Sequence, residues 1–443
     1  MLIEFRMENH RSIRDEEVFT MEAGRIGHPG DPRERKVAGH SKKLLTVAAL
    51  YGANASGKSN LLSALGFMRD AVIDSHPSWP PEGGVPRDAF AWGSRVHEPS
   101  MFETTILIGS VRYRYGFLVD QTRVLEEWLF AWPRARRQAW FEREGDEYTF
   151  GESLRGENRL VKQVTRPNAL FLSTAAQHQH EQLLPIYQWF RHMRTIRIEG
   201  YKERYSDAMP VAFAAAFFAA AAAAAAASAE STNGMIRVSE LLPRHRKQHD
   251  ATLALDATGT EKLRQLVSAA DVGISDFRID KAPSRSRPTE QEHRIFMRHT
   301  VGSDAWLPLE QESAGTKALF HLGPAVIEAL TNGRLLIIDE LEASLHPLIA
   351  IQLVSRFNDQ KTNPHNAQLV FTTHDTSLLG TTLGDPPLRR DQIWLTEKNP
   401  EGATTLYPLT DYKPRKAENL ERGYLQGRYG AIPFLGDLAN PSE

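Results

Sequence analysis

The chain has 443 residues, 41% of them hydrophobic and 24% charged, with a net charge of −2 and no cysteine. That length and apolar content support a large core and two or three domains. The near-neutral balance confines any nucleic-acid surface to a local patch, and the absence of thiols excludes disulfides and thiolate zinc sites and is compatible with a reducing cytoplasm.

The N-terminus, MLIEFRMENH, places charges where a secretory signal needs an apolar core. Ile3, Phe5 and Met7 alternate with Glu4, Arg6 and Glu8, the period of a half-buried strand. Residues 24–43, rich in Gly, Pro, His and charge, read as a solvated loop. Its His28 and His40 read as loop residues, since no third ligand stands at a metal-like spacing.

An apolar run at residues 44–50 then ends in Gly52-Ala53-Asn54-Ala55-Ser56-Gly57-Lys58-Ser59, which fits the phosphate-loop (Walker A) pattern without a mismatch. Gly52 and Gly57 let the backbone curl so that N–H groups face phosphate oxygens. Lys58 adds a cation for the β- and γ-phosphates, and Ser59 offers a hydroxyl to Mg²⁺. The helix opening at Lys58 and continuing through Asn60 points its positive end at the same anion, with Leu61, Leu62 and Leu65 as its apolar stripe.

Residues 75–86, dense in proline and glycine, mark a boundary. Beyond it Val111, Tyr113, Tyr115 and Phe117 alternate with Arg112 and Arg114, and residues 125–132 and 138–150 read as further strands of an antiparallel block. The cluster Arg134, Arg136 and Arg137 reads as a solvated strand edge rather than a phosphate site. From residue 173 to about 271 the chain becomes helical in character. Within it residues 211–229 are almost all alanine, long enough to span a bilayer but without the Leu/Ile content and aromatic belts of a spanning helix. That stretch reads either as an alanine-rich helix or as placeholder letters that carry no chemical information.

The second half restores a nucleotide-site pattern. Residues 335–338 form an apolar run suited to a strand buried on both faces, ending in Asp339-Glu340. Asp339 can hold the Mg²⁺ shell beside Ser59, and Glu340 can polarise the attacking water, with Glu342 the next carboxylate. Before that strand, Glu312-Ser313-Ala314-Gly315-Thr316-Lys317 opens a helical run, with Ser313 as N-cap and Gly315 permitting close backbone approach. After it, residues 368–373 form a strand ending at His374, placed to reach a γ-phosphate. Residues 392–397 read as the last strand. In the tail that follows, Lys413, Arg415, Lys416, Arg422 and Arg428 interleave with Tyr412, Tyr424, Tyr429 and Phe434, a mixture suited to nucleic acid, to a protein partner, or to packing back on the chain itself.

The order of phosphate loop, serine-glycine signature, Asp-Glu strand and histidine switch resembles the ABC ATPase heads of the SMC and RecF group. More closely, MLIEFRMENHRSIRDEEVF, LYGANASGKSNLL, ESAGTK, LLIIDELEASLHP and VFTTHD resemble the RloA-like, abortive-infection ATPases of bacterial anti-phage defence. These are related to the ATPases of the PARIS and Septu systems and to the OLD nucleases. The resemblance covers roughly residues 1–70 and 300–435. It implies an α/β fold, an ABC-type P-loop ATPase head with an antiparallel β block and a helical insertion between Walker A and signature. The expected division is residues 1–172, 173–275 and 276–443.

Carried over by position, the resemblance implies Lys58 on the phosphates, Ser59 and Asp339 on Mg²⁺, Glu340 as the catalytic carboxylate and His374 on the γ-phosphate. It implies a site completed in a head-to-tail dimer, with Ser313 and Gly315 of one subunit closing on ATP held by residues 52–60 of the other. The partners implied are a second copy and a separately encoded effector, a nuclease, with DNA as the alternative partner if the chain is a RecF-like repair ATPase, and no membrane. The signature leaves open whether Ser313 or Thr316 faces the nucleotide, Gln177 is the weak candidate for the glutamine that meets Mg²⁺, and Leu345-His346 stands where many relatives have Leu-Asp. No sustained heptads connect the halves, so a long coiled-coil tether is not expected, and residues 375–443 are too short for an OLD-type metal domain.

Overall fold

The computed structural model describes residues 1–26, 30–134, 136–197, 257–270, 273–283, 291–301, 305–343, 345–382, 384–413 and 418–433. The alanine-rich stretch 211–229, His28, Arg415, Lys416 and Phe434 lie outside the described residues. The chain divides into two compact units, Met1–Thr195 with Gly333–Leu341 and Ile351–Glu443, and Ile196–Asn332 with Glu342–Ala350.

The first unit starts with β1 (Leu2–Glu8) and β2 (Glu17–Thr20), a short ribbon of β3 (Glu34–Arg35) and β4 (Leu44–Leu45), then β5 (Val47–Gly52) and α1 (Lys58–Asp74). The apolar run before the phosphate loop is thus split at Thr46 between two sheets. The antiparallel block follows as β6 (Ser100–Ile108), β7 (Val111–Val119), β8 (Val124–Trp132), β9 (Gln138–Glu144) and β10 (Glu147–Phe150). With β1 and β2 it forms one sheet in the order β10-β9-β8-β7-β6-β1-β2. Three helices come next, α2 (Asn158–Val164), α3 (Phe171–Gln177) and α4 (Leu184–His192), and then β11 (Arg194–Arg197). Both α3 and α4 lie in the first unit. The alternation of Phe5 and Met7 with Arg6 and Glu8 in β1 sends the apolar set into a core shared with Phe102, Phe117, Leu129 and Phe141.

The second unit contains α5 (Ala257–Ala270), an antiparallel sheet of β12 (Ile274–Pro283), β13 (Gln291–His299) and β14 (Trp306–Pro308), and α6 (Ala314–Asn332). Its core joins Leu263 and Val267 of α5 to Phe277, Ile295 and Met297 of the sheet and Phe320 and Ile327 of α6. Gly323 lets α5 and α6 approach, for a Cβ there would stand 2.5 Å from Leu263 Cδ1.

Returning to the first unit, the chain forms β15 (Leu335–Asp339), α7 (Pro347–Asn358), which begins in the second unit, β16 (Gln368–Thr372), β17 (Ile393–Lys398), β18 (Thr404–Pro408) and α8 (Leu420–Leu425). The second sheet runs β11-β15-β16-β5-β17-β18, with β15, β16, β5 and β17 parallel and β18 antiparallel at the edge. The parallel strands β15 and β16 are buried at every position, as expected of strands covered on both faces. The expectation that β17 is the last strand is corrected. Asn399 and Gly402 turn the chain so that Thr404–Pro408 pairs back on it from Trp394↔Pro408 to Lys398↔Thr404.

Of the readings open for the tail, Tyr424 and Tyr429 follow the one in which it packs back on the chain itself. Tyr424 and Tyr429 are buried, and the Tyr429 hydroxyl donates to Glu418 Oε1 at 2.8 Å. The Tyr407 hydroxyl of β18 donates to the Tyr429 carbonyl at 3.1 Å. These rings pack back on the first unit because a phenol buries its face well when its hydroxyl finds an acceptor.

Candidate active site

Parallel strands bring their C-terminal ends to one edge of a sheet, and ligands in such folds sit there. Here Leu50 of β5 lies opposite Thr372 of β16, and Phe371 opposite Ile338 of β15. Residues 52–59, Asp339-Glu340 and His374 therefore emerge side by side from three neighbouring strands.

The phosphate loop is held open by its glycines. A Cβ on Gly52 would stand 2.4 Å from Thr396 Oγ1 and 2.5 Å from Ser56 Oγ. Gly57 has φ +106°, and a Cβ there would meet Thr404 Oγ1 at 2.1 Å. Between them Ala55 also takes a left-handed φ of +62°. Lys58 is 6% exposed and its Nζ curls into the loop, donating to Gly52 O at 2.8 Å and Ala53 O at 3.0 Å. At the start of α1, Gly57 supplies no side-chain cap and no acidic residue stands in the first turn, so the positive end of the helix is left for an anion. Asn54 is exposed, and Asn60 Nδ2 donates to Ser12 Oγ at 2.6 Å.

Beside the loop, Ser59 Oγ donates to Asp339 Oδ1 at 2.8 Å, and Thr372 Oγ1 donates to the same oxygen at 2.7 Å. Thr372 Oγ1 also accepts the Glu340 backbone N–H at 2.7 Å. Glu340 itself adopts φ +59°, a left-handed turn that breaks the strand direction directly after Asp339. A hydroxyl and a carboxylate oxygen already joined at this distance form the oxygen pair that a hard divalent cation takes. Together with the glycine cradle and the buried Lys58, these residues fit a nucleoside triphosphate with Mg²⁺.

In the second unit, Ser313 is exposed and Thr316 is buried. Ser313 Oγ accepts the Thr316 backbone N–H at 3.1 Å and lies 2.8 Å from Thr316 Oγ1, so Ser313 caps α6 and keeps Thr316 turned inward. Gly315 follows in the first turn, and Glu312 Oε1 is 2.7 Å from His299 Nε2 on β13. Leu345 is buried and His346 exposed, with His346 Nδ1 accepting the Leu348 N–H at 3.2 Å. Gln177 ends α3 with an exposed side chain.

Sequence reasoning missed a set of hydroxyls around the loop. Ser12 Oγ is 2.7 Å from Thr404 Oγ1, which donates to Ser56 O at 2.8 Å, and Ser56 Oγ is 2.6 Å from Thr396 Oγ1. The turn after β1 is anchored by His10, whose Nε2 is 3.1 Å from Ser63 Oγ of α1. Burial pushes this imidazole down to about 4, so it packs neutral against Phe67 and Phe102. The signal was in the sequence as HRS after β1 and as Thr404 in β18, but nothing local to either says that they meet.

Residues 47–380 match the family described as "AAA domain, putative AbiEii toxin, Type IV TA system", and the chain belongs to it. Its fold is the mixed α/β fold of an ABC-type P-loop ATPase, with an antiparallel sheet beside the nucleotide sheet. An Smc head bound to the C-terminal winged-helix domain of ScpA is 11% identical, with a TM-score of 0.45, covering 92% of this chain and 97% of that one. An Smc head with an extended coiled coil, bound to the C-terminal domain of ScpA from Pyrococcus furiosus, is 10% identical with a TM-score of 0.41, covering 93% and 97%. No curated protein matches the sequence.

Proposed function

We propose that this AAA-family chain is a Mg²⁺-dependent ATP hydrolase that pairs head-to-tail with a second copy around ATP. As sensor and scaffold it governs a separately encoded effector, a nuclease, in bacterial anti-phage defence. The observation that carries the hydrolytic part is the hydrogen-bonded chain from Ser59 through Asp339 and Thr372 to the Glu340 backbone, set beside Lys58. In this reading Lys58 leaves its two carbonyl acceptors for the β- and γ-phosphate oxygens, and the first-turn N–H groups of α1 meet the same anion. Ser59 and Asp339 would hold Mg²⁺, whose charge would stabilise the phosphate oxygens. Glu340 takes a proton from the attacking water, and His374 donates to the γ-phosphate. Ser313, the exposed hydroxyl of the signature, and Gly315 close on the nucleotide of the second copy. The defence role is supported by the family's own description and by the motif wording shared with the RloA-like ATPases.

The experiment is native mass spectrometry of Glu340→Gln protein purified with ATP from cells carrying its native locus. Removing the base slows turnover by about 10²-fold or more while leaving the phosphate contacts in place. An even-numbered assembly with nucleotide and a second protein is expected. Dimers without a second protein, or with DNA fragments, would overturn the effector role, and hydrolysis at the parental rate would move the base away from Glu340.

A further inference from the structure

The segment after β18 has no part in the chemistry assigned above, yet it touches the site from behind at two places. α8 starts at Asn419, whose side chain accepts the Arg422 N–H at 2.9 Å, and it buries Leu420 and Tyr424. Glu421 Oε1 accepts from Thr376 Oγ1 at 3.1 Å. Its other carboxylate oxygen fills the space in front of Gly380, where a Cβ would lie only 2.3 Å away. One turn on, the Tyr424 ring meets Tyr51 edge-on, with centroids 5.6 Å apart and planes at 66°. The Tyr424 hydroxyl donates to Ala431 O at 3.1 Å. The Tyr51 hydroxyl reaches across to Asp375 O at 3.0 Å.

These contacts converge on two short stretches. One is Tyr51, directly before Gly52, the first residue of the phosphate loop. The other is Asp375 and Thr376, directly after His374. The sheet holds this strand only up to Thr373, whose N–H bonds Leu50 O at 3.1 Å. Past it the chain turns into a single 3₁₀ turn, Thr376–Leu378, capped by Asp375. A tail that only covered apolar surface would need no carboxylate aimed at that turn.

We propose that α8 is a positioning element of the ATP site, in which Glu421 through Thr376, and Tyr424 through Tyr51, set the place of His374 and the start of the phosphate loop. The inference rests on the reading of His374 as a γ-phosphate contact. A displacement of about 1 Å in such a group costs up to about 10²-fold in rate, so a positioning role shows in turnover before it shows in binding.

The test is steady-state ATP hydrolysis and equilibrium nucleotide binding on the full chain for His374→Ala, Glu421→Ala, Glu421→Gln and Thr376→Val. Glu421→Ala and Thr376→Val each lower kcat by about tenfold with KM and ATP affinity within about twofold. The double variant is no slower than the slower single one, since both remove the same hydrogen bond. Glu421→Gln, whose amide oxygen still accepts from Thr376, recovers most of kcat. Equal losses for Ala and Gln that follow a lowered Tm would make α8 mere packing and overturn the proposal. If His374→Ala is slow while Glu421→Ala and Thr376→Val are parental, the positioning role is lost and the site reading stands. Parental turnover in His374→Ala removes the site reading and the proposal with it.

Discussion

Lys58 presents the sharpest question at the level of a single residue, because its ammonium is buried and held by the Gly52 and Ala53 carbonyls. A phosphate oxygen in the same cradle gives a charge-assisted bond to this ammonium worth about 1.5–3 kcal/mol. Lys58→Ala is therefore expected to weaken ATP binding by about 10- to 100-fold, measured by calorimetry or a fluorescent nucleotide. The fold should persist, since the loop's curl is set by Gly52, Ala55 and Gly57 and by the surrounding hydroxyls rather than by the lysine. Parental affinity in that variant would remove the phosphate-loop assignment. Glu340 differs in kind. Its left-handed φ places a carboxylate where a continuing strand would place backbone, a local cost that the Thr372 hydrogen bond offsets.

Among the elements, the antiparallel block is tied to its helices by one buried carboxylate. Glu127 of β8 is wholly buried and accepts the Phe171 and Leu172 N–H groups at 2.6 and 3.0 Å, the first turn of α3, as well as the Tyr115 hydroxyl at 2.9 Å. It does from a neighbouring strand what an N-cap does from within the chain. Arg143 lies 3.7 Å away and donates to Ala169 O at 2.7 Å, so the carboxylate and guanidinium neutralise each other inside the core. Glu127→Ala leaves two helix donors and a phenol without their acceptor and a buried guanidinium without its counter-charge, and should destabilise the unit by about 3–5 kcal/mol in denaturant unfolding. Glu127→Gln keeps an acceptor but not the charge, and should lose less. Equal stability of wild type and Glu127→Ala would mean that the network has no energetic part. None of this was legible in the sequence, where Glu127 is one polar letter in the strand run LEEWLFAW. The phosphate loop was legible because strand, loop and helix are consecutive and each local preference agrees with the next. The Asp339-Glu340 strand was legible for the same reason. The Tyr51–Tyr424 contact and the Ser12–Thr404 link were not, because residues hundreds of positions apart meet there and no periodicity records the meeting.

Across the whole molecule, the phosphate loop and Asp339-Glu340 lie in one compact unit, whereas Ser313 and Gly315 lie in the other. A signature that closes on the nucleotide of a second copy makes each active site a product of two chains, related by a twofold axis. That arrangement predicts complementation between two inactive variants. Lys58→Ala loses its own phosphate site, and Ser313→Arg loses only the surface it lends, since Ser313 is exposed and loss of its cap costs about 1 kcal/mol. In an equal mixture half of the pairs are mixed, and each mixed pair has one site with both defects and one with neither. About a quarter of the parental sites are thereby restored, and the mixture should hydrolyse ATP well above the sum of the two rates measured apart. A mixture that only averages the two variants would place the signature on the nucleotide of its own chain, and the ATP-dependent pairing of copies would have to be given up.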